Sequence, residues 1–416
     1  MSDKKKRIMT FTGRGSDEQL ESAAAVPGLD PEDLAELSRA LQVLEAETVH
    51  GRGDGVMNAA EDETASLLQT FFTEVAPEES PNILQPTETQ KLEAKMDERD
   101  ILGWAGSFFT WAKGLKKHAF IDDPGPVTRI PNHTRCALFG DWGSGLYGAP
   151  EVAKQISEAD DKPNLILHLG DTYYSGTNGE VRDRLVGTWP SVDGAISRTL
   201  NGNHEMYTGG HGYFKIAVPH FDQKSSYFAL ENDHWVLACL DTAYKDHDLH
   251  GDQAQWLTSL AFQLDGRKLV LFSHHQPFSL LESQGPKLVK QLSALLSNKK
   301  IFAWYWGHEH RCVLYEKHGA WDLYGRCVGH GGFPYFRDKK VFGEAAPAKP
   351  EFKRVSGRNL VPAAQMLDGV NPFIPEAPEK YGPHGYMTLD FDGEELFEVV
   401  HDAGGDVLYD QPLTGE

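Results

Sequence analysis

The sequence predicts a layered α/β fold over residues 128–416, preceded by a helical accessory region over residues 1–127. Two observations carry this. From about residue 134, short apolar runs alternate with polar, Gly-containing loops: TRCALFG, NLILHLG, ISRTLNG, HWVLACLD, RKLVLFSHH and KIFAWYWGH. Their length and β-branched or aromatic content are those of buried strands. Helical stretches such as 149–160 and 286–297 lie between them, the alternation that builds sheets covered by helices.

The upstream part has a different texture. Asp30 followed by Pro31 reads as an N-cap and first-turn pair, after which Leu34, Leu37, Leu41 and Leu44 recur at helical spacing and mark a buried face. A second helical stretch is expected at about 62–75, then a Pro- and Glu-rich connector, then a third helical region at about 88–118. Within the last, ILGWAGSFFTWAKGLKKH (101–118) is interrupted by Lys113 and ends in Lys116 and Lys117, so it reads as a packed amphipathic helix, with an interfacial or partner-binding role as the alternative. IDDPGPVTRIPNH joins this region to the strands.

Composition narrows the function. With 416 residues and 40% hydrophobic content the chain can bury a large core. A formal net charge of -21 gives no electrostatic support for a sequence-independent grip on nucleic acid or anionic lipid. No segment is apolar for long enough to span a bilayer. The basic cluster in MSDKKKRIMTFTGRGSDEQ lacks a following apolar stretch, so no secretory signal is read and a cytoplasmic location is expected. Cys136, Cys239, Cys312 and Cys327 are widely spaced in apolar contexts and read as buried thiols, without a CxxC site or a disulfide framework. The N-terminal region carries no chemistry of its own and is the expected place for a protein partner.

Chemistry gathers at the ends of the predicted strands. In FGDWGSGLYG (139–148), Gly143, Gly145 and Gly148 match the G-x-G-x-x-G turn of a dinucleotide site, and APEVAKQISEA supplies the following helix. That fingerprint expects an acid about 20 residues on at the next strand end; Asp171 comes late and already belongs to a second motif, GDTYY. The competing reading takes Asp141 as a metal ligand. In chain order the strand ends carry Asp141, then Asp171 with Tyr174, then Asn203 and His204, then His274 and His275, then His308 and His310.

Taken singly, each has an ordinary alternative: Asp141 a helix cap or turn residue, Tyr174 a core tyrosine, Asn203 a turn asparagine, His204 a surface imidazole, His274 and His275 one buried and one exposed ring. The H-x-H of WGHEH is stronger, because both imidazoles follow one strand at one loop tip. Jointly they form the hard-oxygen and imidazole set that a pair of divalent or trivalent ions requires, with one carboxylate to bridge ions about 3.5–4 Å apart.

The five motifs GD, GDxxY, GNHE, HH and GHxH resemble the calcineurin-like metallophosphoesterase superfamily, and more closely its purple acid phosphatase branch. The resemblance covers about residues 134–330, with extension through the C-terminal strands to 410. Many members carry Asp-x-His in the first motif, but Gly143 stands at that histidine position here, and Tyr174 in G-D-x-x-Y spacing can replace the missing imidazole. The resemblance implies a four-layer α/β/β/α sandwich of two mixed sheets. It implies one metal held by Asp141, Asp171, Tyr174 and His310, and another held by Asp171, Asn203, His274 and His308, with Asp171 bridging. HHQPFS can be laid over the family's H-x-P segment from either histidine; Phe278 and Ser279 favour His274, and His275 stays the alternative ligand.

The implied activity is hydrolysis of phosphate esters by in-line attack of a hydroxide held between two metal ions, Fe paired with Fe, Mn or Zn. Phosphomonoesters are the favoured small-molecule substrates; phosphodiesters or cyclic nucleotides are the alternative, and a catalytically weak metal-binding scaffold is the alternative of another class. His204 is assigned to a phosphoryl oxygen or to protonation of the leaving group, with Glu205 behind it or in a surface ion pair. One departure stands out. The family usually carries a further histidine nine or ten residues beyond the first imidazole ligand, where LLESQGP offers Ser283 and Gln284; His211, His275 and His330 are the candidate substrate contacts instead. Tyr207, Tyr213, Phe278, Phe333 and Tyr335 are expected either to stack a base or to wall the cleft.

Overall fold

The computed structural model describes residues 31–51, 62–71, 74, 108, 111–282, 286–374 and 377–414, excepting the side chains of 31, 34 and 44–51. Asp30, the side chains of Leu34 and Leu44, most of the expected 88–118 helix, and Ser283 and Gln284 lie outside the described residues.

Among the described residues, fifteen strands form two sheets. Those that carry the site are β2 (His133–Phe139), β3 (Leu165–His168), β4 (Ile196–Thr199), β7 (Lys268–Ser273) and β8 (Ile301–Trp306). β2, β3 and β4 are parallel neighbours in a six-stranded sheet completed by β13 (Gly385–Asp392), β14 (Glu395–Asp402) and β15 (Val407–Pro412), which pair antiparallel. In the nine-stranded sheet, β6 (Trp235–Cys239), β7 and β8 are parallel, β10 (Tyr324–Val328) continues parallel to β8, and antiparallel strands flank them. Both sheets are therefore mixed.

Side-chain alternation explains the layering. Along β6, Leu237 and Cys239 face a core shared by the two sheets, where they meet Leu138, Leu165 and Leu167, while Val236 and Ala238 face outward. β7 and β8 divide in the same way, with Val270, Phe272, Ala303 and Tyr305 inside and Leu271, Trp304 and Trp306 outside. Strands apolar on both faces need a cover on the outer one. The helices Gln253–Ala261, Pro286–Gln291 and Ser293–Ser297 cover the nine-stranded sheet through Leu257, Leu288 and Leu295. Ala149–Glu158 covers the six-stranded sheet through Val152 and Ile156, which meet the outward Ala137, Phe139 and Ile166. The result is the four-layer α/β/β/α sandwich that the resemblance implied. All four cysteines are buried free thiols.

Upstream, the helices Pro31–Gly51 and Glu63–Thr70 pack through Leu37, Ala40, Leu41, Ala65, Leu68 and Phe71 together with Phe108. Asp62 caps the second by accepting from the Ala65 N–H at 3.0 Å, and it pairs with Arg39 at 2.9 Å. Tyr207 packs against this cluster, and Thr70 Oγ1 donates to buried Glu180 Oε1 at 3.0 Å. The helical layer thus touches the loops that carry the site. Of the 101–118 stretch, residues 111–114 are helical, and Lys117 reaches the Tyr244 carbonyl. Among the described residues no helix is long and apolar enough to cross a membrane.

One charged group ties the sheets together. Glu398 of β14 is fully buried and accepts from Tyr305 Oη of β8 at 2.6 Å and from Arg326 Nε of β10 at 2.9 Å. Removing one partner of such a pair leaves an uncompensated buried charge, at a cost of about 3–5 kcal/mol. Arg326→Leu is accordingly expected to lower unfolding stability by that order, read by denaturant melts, whereas an unchanged midpoint would show that the pair does not join the sheets.

Candidate metal centre

The site forms where the C-terminal ends of parallel strands from both sheets meet. Asp141 follows β2, Asp171 follows β3, and Asn203 and His204 follow β4; from the facing sheet, His274 follows β7, and His308 and His310 follow β8. In layered α/β folds such ends are where backbone leaves the sheet and side chains become available to a ligand.

Two groupings of ligand atoms result, each with all atoms within 4.8 Å of one another: Asp141, Asp171 and His310 in one, and Asp171, His274 and His308 in the other. Asp171 belongs to both. Asn203 Oδ1 completes the second, 2.8 Å from His274 Nε2 and 3.1 Å from His308 Nδ1.

The chemistry of this donor set fits a cation. His274 Nδ1 lies 2.9 Å from the Leu169 carbonyl, which can only accept, so the ring proton sits there and Nε2 presents a lone pair. Burial holds the His274 pKa below the ordinary imidazole value despite the nearby Asp171, so this neutral form persists. The Nε2 lone pair then faces the Asn203 oxygen, an acceptor opposed to an acceptor, which a positive ion between them resolves. A backbone carbonyl behind a ligating imidazole is also the usual orienting partner of a metal-bound histidine.

The carboxylates show the same tension. Burial and the neighbouring Asp171 push the Asp141 pKa well above the ordinary carboxylate range. Burial acts on Asp171 in the same direction, but the imidazoles of His274, His204, His308 and His310 outweigh it and bring that group below the range. Two adjacent carboxyls driven apart in this way are a like-charge pair lacking a counter-charge. The Asp141 carboxylate accepts from the His308 N–H at 2.8 Å and that of Asp171 from the His204 N–H at 3.1 Å, so each is also held by backbone.

Local backbone is bent to produce this convergence. Asp141, Asp171, His308 and His310 all have positive φ, between 49° and 76°, a region costly for non-glycine residues that clusters at functional sites. A Cβ at Gly202 would stand 2.1 Å from Asp171 Oδ1, so only glycine lets the β4 loop pass the carboxylate. A Cβ at Gly143 would lie 2.8 Å from the Asp171 carbonyl oxygen and Thr172 Cα, which explains the missing histidine of the first motif sterically.

The tyrosine nearest the carboxylates is Tyr173, next to the expected Tyr174. Tyr173 Oη lies 2.9 Å from His310 Nε2, 3.1 Å from Asp141 Oδ1 and 3.3 Å from Asp171 Oδ2. The buried Tyr174 ring instead lies beneath the Arg184 guanidinium, 5.3 Å from its centroid, and its carbonyl faces His204. Sequence reasoning passed over Tyr173 because the i+3 spacing from Asp171 selects its neighbour. It also missed buried Glu180, whose carboxylate accepts from the N–H groups of Tyr174 at 2.6 Å, Ser175 at 2.9 Å and Thr177 at 3.1 Å and so shapes the tyrosine loop. The T-x-x-E spacing of Thr177 and Glu180, a capping box, was the available signal.

The other expected contacts distribute as follows. His204 donates from Nδ1 to the Tyr174 carbonyl at 2.5 Å and places Nε2 3.8 Å from Asp171 Oδ2. Glu205 is buried and accepts from the Gly202 N–H at 2.9 Å and the Asp171 N–H at 3.3 Å, so it anchors the backbone of the central carboxylate rather than forming a surface ion pair. Burial and Asp171 raise its pKa to about 8. His211 points toward the Lys116 carbonyl, 2.6 Å from it, and His330 is buried beside Gly385 and His384; neither is brought to the ligand groupings. His275 lies behind His274, with Nδ1 3.1 Å from Thr242 Oγ1. Of the aromatic residues, Phe333 packs tilted against Tyr173 at 4.0 Å between centroids and Tyr207 approaches the His204 ring at 4.8 Å, whereas Tyr213 and Phe278 belong to the outer cores.

Residues 134–312 match the family described as calcineurin-like phosphoesterase. No curated protein matches the sequence. Similar solved structures include a purple acid phosphatase from yellow lupin seeds (16% identity, TM-score 0.49), where the match covers 70% of this chain and 54% of that one, so this chain spans about half the length of the lupin protein. Others are GAP50, the anchor in the inner membrane complex of Plasmodium (13%, TM-score 0.46, covering 67% and 88%), and a dimetal phosphatase from Danio rerio (12%, TM-score 0.40, covering 68% and 99%). The matched segment runs from β2 to just beyond β8 and contains every strand end from Asp141 to His310. Over that segment, the chain is similar to the calcineurin-like phosphoesterase family.

Proposed function

We propose that the protein is a phosphomonoesterase of the purple acid phosphatase type, using two cations that share Asp171. The observation that carries this reading is the pair of ligand groupings with Asp171 in common. Asp141, Asp171, His310 and a tyrosinate would hold one ion, and Asp171, Asn203, His274 and His308 the other. Tyr173 takes the tyrosinate role in preference to Tyr174, because its hydroxyl is the one within 3.3 Å of both carboxylates. A phenolate ligand favours Fe(III) at that position, with Fe, Mn or Zn at the other.

When bound, such a pair supplies positive charge that acidifies the attacking water and neutralises the phosphoryl oxygens. The remaining steps belong to this chain. Because the His204 Nδ1–H is committed to the Tyr174 carbonyl, Nε2 is the atom that carries the exchangeable proton, and it faces Asp171 and the ligand cluster. From there it delivers that proton to the departing alkoxide oxygen. Glu205 keeps Asp171 in place through two backbone hydrogen bonds, so its role is positioning. Phe333 and Tyr173 form an aromatic wall beside His310 that limits water on that side.

The test is hydrolysis of an aryl phosphate by protein reconstituted with Fe, Mn or Zn, beside a panel of nucleotides, cyclic nucleotides, sugar phosphates and diesters. Asp171→Asn is expected to reduce turnover to background, and chelation is expected to lower both activity and Tm, since a ligand present at 100 times its Kd adds about 2.7 kcal/mol to stability. Activity equal in wild type and Asp171→Asn would refute the reading. In the iron-loaded protein, Tyr173→Phe is expected to abolish a visible tyrosinate charge-transfer band that Tyr174→Phe retains; the reverse pattern would return the ligand role to Tyr174.

A further inference from the structure

A third group of nitrogens lies beside the two groupings above. His247, His275 and His308 place ligand atoms within 4.8 Å of one another. Their ring centroids are 4.0 Å apart for His247 and His275, 4.6 Å for His275 and His308, and 5.5 Å for His247 and His308. Only His308 has a part in the two-cation reading.

Their hydrogen bonding fixes a bare nitrogen on His247 and leaves Nε2 of His275 beside the same aspartate. His247 Nδ1 is 2.8 Å from Asp246 Oδ1, a carboxylate oxygen that accepts, so the ring proton sits on Nδ1 and Nε2 is bare. This carboxylate–histidine arrangement is the one that orients metal-ligating imidazoles. His275 Nδ1 has Thr242 Oγ1 at 3.1 Å as its partner, which turns Nε2 outward, 3.5 Å from the same Asp246 oxygen. Nε2 of His247 and Nε2 of His275 are both buried without a hydrogen-bond partner among the described residues. Buried polar atoms are nearly always satisfied, and two orphans on rings whose centroids are 4.0 Å apart point to a missing ligand.

The charge around them selects its sign. Asp246 stands at the solvent side, its side chain 79% exposed, and Glu282 Oε2 lies 3.6 Å from His308 Nε2. Two carboxylates repel a phosphate and attract a cation. His308 faces Asn203 with Nδ1 and Glu282 with Nε2, so its ring has one nitrogen for each side.

We propose that His247, His275 and His308, flanked by Asp246 and Glu282, form a third cation site beside the two-cation centre. Imidazole ligands with a carboxylate suit Zn²⁺ or a similar borderline divalent ion, and exposed Asp246 marks the entry side. The proposal goes beyond the two-cation reading and shares only His308 with it. It makes His275 a metal ligand rather than a contact to phosphate.

The test uses the full chain, stripped with chelator, titrated with Zn²⁺ by calorimetry and measured for bound zinc after dialysis. Wild type is expected to hold three equivalents, His247→Ala two, and Asp171→Asn to keep the equivalent that depends on His247. Co²⁺ loading supplies a second measurement: the visible d–d absorption should lose a component in His247→Ala. If circular dichroism shows that this variant folds differently, His247→Gln replaces it. Two equivalents in wild type, unchanged by either His247 substitution and lost in Asp171→Asn, would overturn the third site and leave the two-cation reading standing. A single equivalent lost in His247→Ala but kept in Asp171→Asn would support the third site and overturn the two-cation reading.

Discussion

The apposition of Asp141 and Asp171 governs the rest of the site. Both carboxylates are buried, and both belong to one grouping of ligand atoms, so the fold holds two like charges together where water cannot screen them. Nothing in hydrophobic packing calls for that arrangement. The surrounding imidazoles and two backbone N–H groups compensate unequally, lowering the pKa of one carboxyl while the other rises. A multivalent cation is the counter-charge that removes the conflict, and the acceptor-to-acceptor contact between His274 and Asn203 calls for the same remedy.

Much of the scaffold serves this apposition. Two sheets present the C-terminal ends of β2, β3 and β4 against those of β7 and β8, and Glu398 crosses the core to pair with Arg326 and Tyr305 of the opposite sheet. Closer in, left-handed backbone at Asp141, Asp171, His308 and His310 turns the side chains inward. Glu205 and Glu180, both buried, grip the loops that carry Asp171 and the tyrosine pair. The N-terminal helices reach the same loops through Thr70 and Tyr207, and Tyr207 Oη accepts from Asn203 Nδ2 at 2.7 Å. That region is therefore coupled to the ligand set by contact, although its sequence carries no chemistry of its own.

The sandwich was legible because its strands are short apolar runs closed by loops with Asp, Asn or His, and those runs became β2, β3, β4, β6, β7 and β8. The candidate ligand groupings were legible for the same reason: a strand end fixes roughly where its next few side chains emerge. Orientation within a loop was not. Tyr173 and Tyr174 are adjacent and chemically identical, and the local backbone decides which hydroxyl reaches Asp141, so residue spacing alone does not choose between them. His247 was equally hidden, since it lies in a polar loop, DTAYKDHD, whose meeting with His275 arises only from packing between distant segments. Gly143 was read as an absent imidazole, and its cause is steric, because Asp171 and Thr172 occupy the space that any side chain would need.

The central claim is that Asp171 is shared by two cations, and X-ray absorption spectroscopy on iron-loaded or zinc-loaded protein tests it most directly. The account predicts a metal–metal scattering path at about 3.5–4 Å, the spacing of bridged dinuclear centres, and its loss in Asp171→Asn. An oxygen and nitrogen shell with no second metal, or a metal–metal path that survives Asp171→Asn, would contradict it.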